Sequence, residues 1–169
     1  MQIETERLIL KRSKLADVPT LFQFLGNAEA MAFTQVDASM QDCRRRVAVH
    51  ERQRRRHGYA PWTVRLRDRE RIIGWGGLYD DPFDPGWGVE LGYFFRPDAW
   101  GQGYASELAG AALAFADRTL GLPSVTAFAH PDNAGSQRVL DKAGFKVVRF
   151  LPDMDRLWYE RKRPRAGYA

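Results

Sequence analysis

The sequence is poor in the residues that form disulfides and metal sites. It has one cysteine, Cys43, and three histidines that lie far apart in the chain, at positions 50, 57 and 130. A single cysteine excludes an internal disulfide and favours a reducing compartment. Scattered histidines without a cysteine cluster do not have the spacing of a metal site. We therefore expect a cytoplasmic protein that binds no metal.

Long apolar runs are also missing, since no stretch approaches the roughly 20 residues that cross a bilayer. The first six residues carry acids before any apolar segment, which is unlike a secretory signal peptide. Internal repeats, low-complexity tracts and flexible linkers are absent as well. With 169 residues, 44% of them hydrophobic, the chain is sized for one compact core. We expect a single domain over residues 1–169 and no membrane partner.

Positive charge is concentrated in one segment. The formal net charge is +5, and residues 41–57 hold two acids and several arginines: Arg44, Arg45, Arg46, Arg52, Arg54, Arg55 and Arg56. Such a cluster suits nucleic acid, the ribosome or an acidic substrate. The alternative is a solvated helix face, because Cys43, Val47 and His50 form a narrow apolar stripe at helical spacing. We favour the solvated face and expect no specific nucleic-acid partner, because no aromatic residues alternate with the arginines to stack on bases.

The apolar pattern alternates between strands and helices along the chain. Strands are expected near residues 7–12, 62–67, 71–79, 89–95, 124–130, 145–150 and 157–161, and helices near 17–26, 39–58, 104–120 and 133–144. This order predicts a mixed α/β fold, with about seven strands in one central sheet and four flanking helices.

A glycine turn joins the fourth predicted strand directly to an alanine-rich helix. Gly101 and Gly103 lack the Cβ atoms that block close approach, and they can adopt positive φ. The first N–H groups of the following helix have no internal partner, and the helix dipole adds positive charge there. The turn therefore predicts a phosphate site. A dinucleotide fingerprint would need Gly or Ala at Ser106, and the Gly-Lys-Ser/Thr of a P-loop is absent.

Two segments resemble motifs of one enzyme family. Trp100-Gly-Gln-Gly-Tyr-Ala-Ser-Glu107 resembles motif A of the GNAT N-acetyltransferases, which holds the pyrophosphate of acetyl-CoA. Its form is similar to the branch that acetylates the alanine or serine N-termini of ribosomal proteins. Asn133-Ala-Gly-Ser136, with Gly-Phe at 144–145, resembles the second family segment. The resemblance covers residues 7–161 and implies the acyl-CoA N-acyltransferase fold, in which the strands holding Phe94 and Phe128 splay apart to admit pantetheine.

The resemblance also implies which residues meet acetyl-CoA. Gln102 and Tyr104 would give backbone N–H groups to phosphate, and Asn133 would hydrogen-bond the pantetheine arm. A backbone N–H around Phe94 or Phe95 would stabilise the oxyanion. For Asn133 the alternative is a plain helix N-cap. The cofactor-binding residues implied are Phe94, Phe95, Trp100, Gly101, Gln102, Gly103, Tyr104, Ala105 and Asn133.

Two residues are candidates for proton transfer. Glu90 lies in an apolar strand, on the face opposite Leu91, where burial would raise its pKa into the range of a general base. The alternatives for Glu90 are a structural ion pair with an arginine and an edge-exposed face. Many relatives carry a general-acid tyrosine seven residues after the asparagine of the second segment, but this chain has Leu140 there. We therefore assign the thiolate proton to Ser136, for which the alternative is a first-turn helix serine without chemistry.

The resemblance implies transfer of an acetyl group from acetyl-CoA to a primary amine, by direct attack in a ternary complex. The expected acceptor is a protein or peptide N-terminus. The alternatives are a small-molecule amine, such as an amino acid, a polyamine or an antibiotic, and a non-catalytic CoA-binding module that contacts nucleic acid or the ribosome. A homodimer is left open.

Overall fold

The computed structural model describes residues 2–165, which contain eight strands and four α-helices joined by loops and short turns. The strands are β1 (Gln2–Glu4), β2 (Leu8–Arg12), β3 (Trp62–Leu66), β4 (Ile72–Tyr79), β5 (Glu90–Phe95), β6 (Ser124–Ala129), β7 (Lys146–Leu151) and β8 (Arg156–Lys162). The helices are α1 (Val18–Leu25), α2 (Met40–His57), α3 (Tyr104–Phe115) and α4 (Ala134–Lys142). The predicted mixed α/β fold is confirmed, with one strand more than expected. The additional strand, β1, has three residues, too few to show an alternating pattern.

All eight strands form one sheet, in the order β1-β2-β3-β4-β5-β6-β8-β7. Neighbouring strands are antiparallel except for β5 and β6, which are parallel and meet at a single residue pair, Glu90 with Thr126. There the N–H of Thr126 donates to the carbonyl of Val89 at 2.8 Å. Beyond this pair the two strands separate, as the predicted splay requires. The separation opens a gap in the middle of the sheet.

Alternate residues of β5 enter two different cores. Leu91 and Phe95 belong to a cluster that includes Leu108 of α3, whereas Phe94 packs against a second cluster that includes Trp75 and residues of α1 and α2. Side chains of successive strand residues point to opposite faces of a sheet. Helices α1 and α2 therefore cover one face of β5, and α3 covers the other.

Helix α2 begins and ends where the sequence predicts. The hydroxyl oxygen of Ser39 accepts a hydrogen bond from the N–H of Asp42 at 3.1 Å, which is an N-cap. At the other end Gly58 has φ +86°, the left-handed conformation that glycine adopts without strain.

Two of the seven arginines of α2 do not face solvent, contrary to the solvated-face prediction. Arg46 pairs with the buried carboxylate of Asp37 at 2.7 Å. Arg54 pairs with Glu51 at 3.0 Å and donates to the carbonyl of Ala60 at 2.9 Å. Asp37 and Ala60 lie in the segments that flank the helix, so Arg46 and Arg54 attach α2 to the rest of the fold.

Within residues 2–165, no helix is both long enough and apolar enough to span a membrane. The same part of the chain contains no group of three or more histidine, cysteine or acidic side chains placed to hold a metal ion.

Candidate active site

A cavity of about 940 Å³ is lined by both strands of the sheet gap and by the first turns of α3 and α4. Its wall includes every site residue predicted from the sequence except Gln102, namely Glu90, Phe94, Phe95, Trp100, Gly101, Gly103, Tyr104, Ala105, Asn133 and Ser136. Gln102 lines a neighbouring cavity of about 240 Å³, and its side-chain amide donates to the carbonyl of Asp98 at 3.1 Å. Residues from four separate elements therefore meet at one place.

The glycine turn at the start of α3 has the geometry of an anion site. Gly101 and Gly103 have φ +71° and +81°, backbone angles that residues other than glycine adopt only with strain. The first helical hydrogen bond runs from the N–H of Glu107 to the carbonyl of Gly103 at 3.1 Å. The N–H groups of residues 104–106 have no acceptor within the helix. Because these free donors face a cradle that only glycine forms without strain, the turn fits the pyrophosphate of acetyl-CoA.

Arg7 braces this turn from the N-terminal end of the chain. Its guanidinium donates to the carbonyl of Gln102 at 2.7 Å and pairs with Glu107 at 2.7 Å, and it lies 4.6 Å from the centre of the Tyr104 ring. Thr5 also donates to Glu107, at 2.6 Å. These contacts fix the carbonyl side of the turn, so that its N–H groups stay directed outward. No short-range pattern signals Arg7, which is why sequence reasoning missed it.

Glu90 is a buried carboxyl group without a protein partner. Only 6% of the residue is exposed, and its side chain forms no hydrogen bond or ion pair with any residue of the described chain. Burial raises the pKa of Glu90 to about 8, with further contributions from the carboxylates of Asp81, Asp84 and Asp80. Within residues 2–165, the two alternatives for Glu90, a structural ion pair with an arginine and an edge-exposed face, are therefore both wrong. A carboxyl group with this pKa exchanges its proton near neutral pH, as a general base must.

The cavity wall around Glu90 is acidic and aromatic. Asp81 and Tyr79 also line it, and the carboxylates of Asp81, Asp84 and Asp80 act on the charge of Glu90. A Cβ at Gly92 would lie 2.6 Å from the Tyr79 hydroxyl, so glycine at that position lets the tyrosine ring cross over β5. Carboxylates at this mouth favour the approach of an ammonium ion, which is the form that most amines take near pH 7.

A pair of hydroxyl groups lies on the other face of β5. The Ser136 hydroxyl oxygen is 2.9 Å from the Tyr93 hydroxyl oxygen. Burial is the main cause that raises the pKa of Tyr93 to about 12. The Asn133 side-chain oxygen accepts from the N–H of Ser136 at 3.1 Å, which confirms the N-cap alternative and leaves the amide nitrogen of Asn133 free for a ligand. Leu140 is buried in the core and offers no hydroxyl. Sequence reasoning missed Tyr93, because its contact with Ser136 spans 43 residues.

The acetyltransferase (GNAT) domain family matches residues 7–146 of this chain. The chain belongs to the GNAT acetyltransferase family. Among its relatives, the uncharacterised N-acetyltransferase YoaA of Bacillus subtilis is 26% identical over 150 residues, covering 85% of this chain and 82% of YoaA. The predicted family resemblance is thus confirmed, and this GNAT protein is an acetyl-CoA-dependent acyltransferase.

Solved structures share the GNAT fold. An acetyltransferase from Agrobacterium tumefaciens str. C58 superposes with a TM-score of 0.82 at 23% identity, covering 96% of this chain and 95% of its own. RimL, a ribosomal L7/L12 alpha-N-protein acetyltransferase, superposes with a TM-score of 0.80 at 18% identity, covering 96% of this chain and 94% of its own.

Two backbone hydrogen bonds fix the orientation of β5 in this GNAT sheet. The carbonyl of Val89 accepts from the N–H of Thr126 in β6, whereas the N–H of Arg96 donates to the carbonyl of Ile73 in β4. Backbone groups of successive strand residues point alternately to the two neighbouring strands. Odd-numbered residues of β5 therefore direct their N–H and C=O groups toward β6, and even-numbered residues direct theirs toward β4.

This alternation decides which N–H groups face the gap. Tyr93 and Phe95 lie beyond the single β5–β6 pair, so their N–H groups point into the gap. Phe94 points toward β4, so it does not supply the predicted oxyanion donor through its backbone. Of the two residues that the sequence left as backbone donors to the oxyanion, only Phe95 has its N–H in the gap, and Tyr93 is a second candidate. The Phe95 carbonyl accepts the indole N–H of Trp100 at 3.0 Å, which ties the strand end to the glycine turn.

Proposed function

We propose that this GNAT enzyme acetylates the N-terminal amine of a protein or peptide in the cytoplasm, by direct attack on acetyl-CoA in a ternary complex. The observation that carries the proposal is the unpartnered Glu90 carboxyl group, which shares one cavity with the glycine turn of α3. A cofactor-binding module without turnover has no use for such a group. We therefore favour an enzyme over the non-catalytic alternative.

Glu90 acts as the general base in this proposal. The acceptor enters as an ammonium ion, attracted by the carboxylates of Asp80, Asp81 and Asp84 near Glu90, and cannot attack while its nitrogen carries the extra proton. The ionised carboxylate of Glu90 removes that proton, directly or through a water molecule. The amine lone pair then forms the new C–N bond with the acetyl carbonyl carbon.

The remaining groups serve the acetyl donor. Acetyl-CoA supplies an activated thioester, and the free N–H groups of α3 hold its pyrophosphate. The N–H groups of Phe95 and Tyr93 face the gap, where they would stabilise negative charge on the acetyl oxygen. When the C–S bond breaks, the Ser136 hydroxyl gives its proton to the sulfur, and the Tyr93 hydroxyl is placed to return a proton to Ser136. The second proton that the nitrogen loses as the amide forms passes to water, from which Tyr93 regains its own proton.

A polypeptide N-terminus is the acceptor that the site favours over a free small amine. An α-amine titrates close to the pKa of Glu90, so one proton passes between them at little cost. The structural similarity to RimL, which acts on a ribosomal protein, supports the same choice by analogy.

The test is a screen of amine acceptors with acetyl-CoA in which the released thiol is detected. Peptides with a free N-terminus should be turned over, whereas the same peptides blocked by N-terminal formylation should not. If only polyamines, free amino acids or antibiotic amines were turned over, the polypeptide acceptor would be rejected in favour of a small-molecule amine.

A further inference from the structure

The solvent-facing side of α2 carries five arginines without an acidic partner. They are exposed, and none forms an ion pair or hydrogen bond with another residue of the described chain: Arg44, Arg45, Arg52, Arg55 and Arg56. At about 100° per residue, all five fall within an arc of about 120° around the helix. The two acids of the helix, Asp42 and Glu51, lie outside this arc. We call these five residues the arginine face.

The arginine face borders the acceptor side of the active site. The guanidinium of Arg45 lies 5.9 Å from the ring centre of Phe83, and the N–H of Phe83 donates to Asp81 at 2.7 Å. Asp81 in turn lines the cavity that contains Glu90. On its buried side, α2 packs His50 edge-on against Phe83, with ring centres 6.3 Å apart. One loop residue therefore connects the basic helix to the acidic cavity mouth.

We propose that the arginine face binds an acidic segment of the acceptor polypeptide, downstream of its N-terminal amine. This inference rests on the proposed function and adds the class of substrate. Charge complementarity carries it, because the acidic mouth attracts the ammonium group while the adjacent helix attracts carboxylates. From Arg45 to Arg56 the helix rises about 16 Å, a length that about five residues of extended chain cover.

Charge of this kind also attracts RNA, but the arc has no aromatic side chain on which bases could stack. The exposed ring of Phe83 belongs to the acceptor loop instead. Continuity with the catalytic cavity favours the acceptor itself as the occupant. RNA binding is therefore an outcome that the experiment must detect.

The experiment compares two peptides with the same free N-terminus. One has four glutamates between positions 5 and 10, and the other has glutamines at those positions. For the wild-type enzyme at low salt, we expect a KM about tenfold lower for the acidic peptide, the size that several exposed ion pairs produce together. This preference should shrink at high salt, because exposed charges are screened.

Two charge-matched variants locate the effect. Replacing Arg52, Arg55 and Arg56 with Gln should remove most of the preference and leave turnover of the neutral peptide unchanged. The control variant replaces three other exposed arginines with Gln, so it removes equal charge from elsewhere: Arg118, Arg149 and Arg163. It should keep the preference.

Each other result overturns the proposal. Equal KM values for the two peptides, or equal losses in both variants, would reject the arginine face while leaving N-terminal acetylation intact. Acetylation of neither peptide would reject the proposed function and this inference with it. Submicromolar binding of a single-stranded RNA probe, measured by fluorescence anisotropy and lost only in the α2 variant, would assign the arginine face to RNA.

Discussion

Replacing Glu90 with Gln tests the proposed chemistry most directly. With a pKa of about 8, Glu90 is ionised in roughly one-tenth of molecules at pH 7 and nine-tenths at pH 9. For an acceptor amine whose pKa lies well above 9, which stays an ammonium ion throughout, kcat/KM of the wild-type enzyme should therefore rise about tenfold over this interval. Glu90→Gln should remove that rise and lower kcat by roughly 10²-fold at pH 9, the lower end for general acid–base catalysis. Affinity for CoA, measured by calorimetry, should stay near the wild-type value.

An ordinary α-amine titrates in the same range as Glu90 and would offset this rise, so its contribution must be separated from that of Glu90. Two peptides that differ only in the basicity of their terminal amine make this possible. A limb of the pH profile that moves with the peptide belongs to the acceptor, whereas one that stays near pH 8 for both belongs to the enzyme. Glu160→Gln, outside the cavity wall, is the matched control. An unchanged limb in Glu90→Gln, with activity within threefold of wild type, would refute the assignment.

The same substitution has a stability consequence that does not depend on activity. The ordinary pKa of Glu90 is 4.5, against about 8 in the folded protein, so between these values the folded state binds more protons than the unfolded state. Stability from this group is complete below pH 4.5 and is lost as the pH rises toward 8. The difference corresponds to at most about 5 kcal/mol. Urea unfolding at pH 5 and pH 9 should show that Glu90→Gln gains stability relative to wild type as the pH rises.

Two further substitutions test the donor side. Gly103→Val should weaken CoA binding by at least about tenfold in calorimetry, because valine is strained at φ +81° and its Cβ would lie 3.3 Å from the Arg7 guanidinium. The control is Gly110→Val, in open space on the same helix. Equal CoA affinities of the two variants would show that this turn does not hold the phosphate. Tyr93→Phe should lower kcat with acetyl-CoA about tenfold but change it little with a thioester of a more acidic thiol, because a better leaving group needs less proton donation. A loss of equal size with both donors would assign Tyr93 a structural role only, and Tyr159→Phe is its control.

Local patterns carried much of the fold and part of the site. The glycine turn, the caps of α2 and the position of Glu90 on its strand each depend on residues close in sequence, so spacing and alternation predicted them. Arg7 and Tyr93 were missed because their partners lie about 100 and 43 residues away. The burial of Arg54 was missed for a different reason. Its carbonyl partners lie just past the end of α2, but helical periodicity does not indicate where the following chain returns.

Strand β5 brings the two halves of the proposed reaction together. Its even-numbered side chains include Glu90 on the face covered by α1 and α2, where the acceptor would enter. Its odd-numbered side chains include Tyr93 on the face covered by α3, where the hydroxyl pair lies. The N–H groups of Tyr93 and Phe95 point between the two faces, into the gap left by β6. Because the strand repeat is two residues, a one-residue shift of β5 would exchange base and acid and would turn these N–H groups toward β4. The ladder of six residue pairs with β4, together with the single β5–β6 pair at Glu90, therefore fixes the register on which every proposed catalytic contact depends.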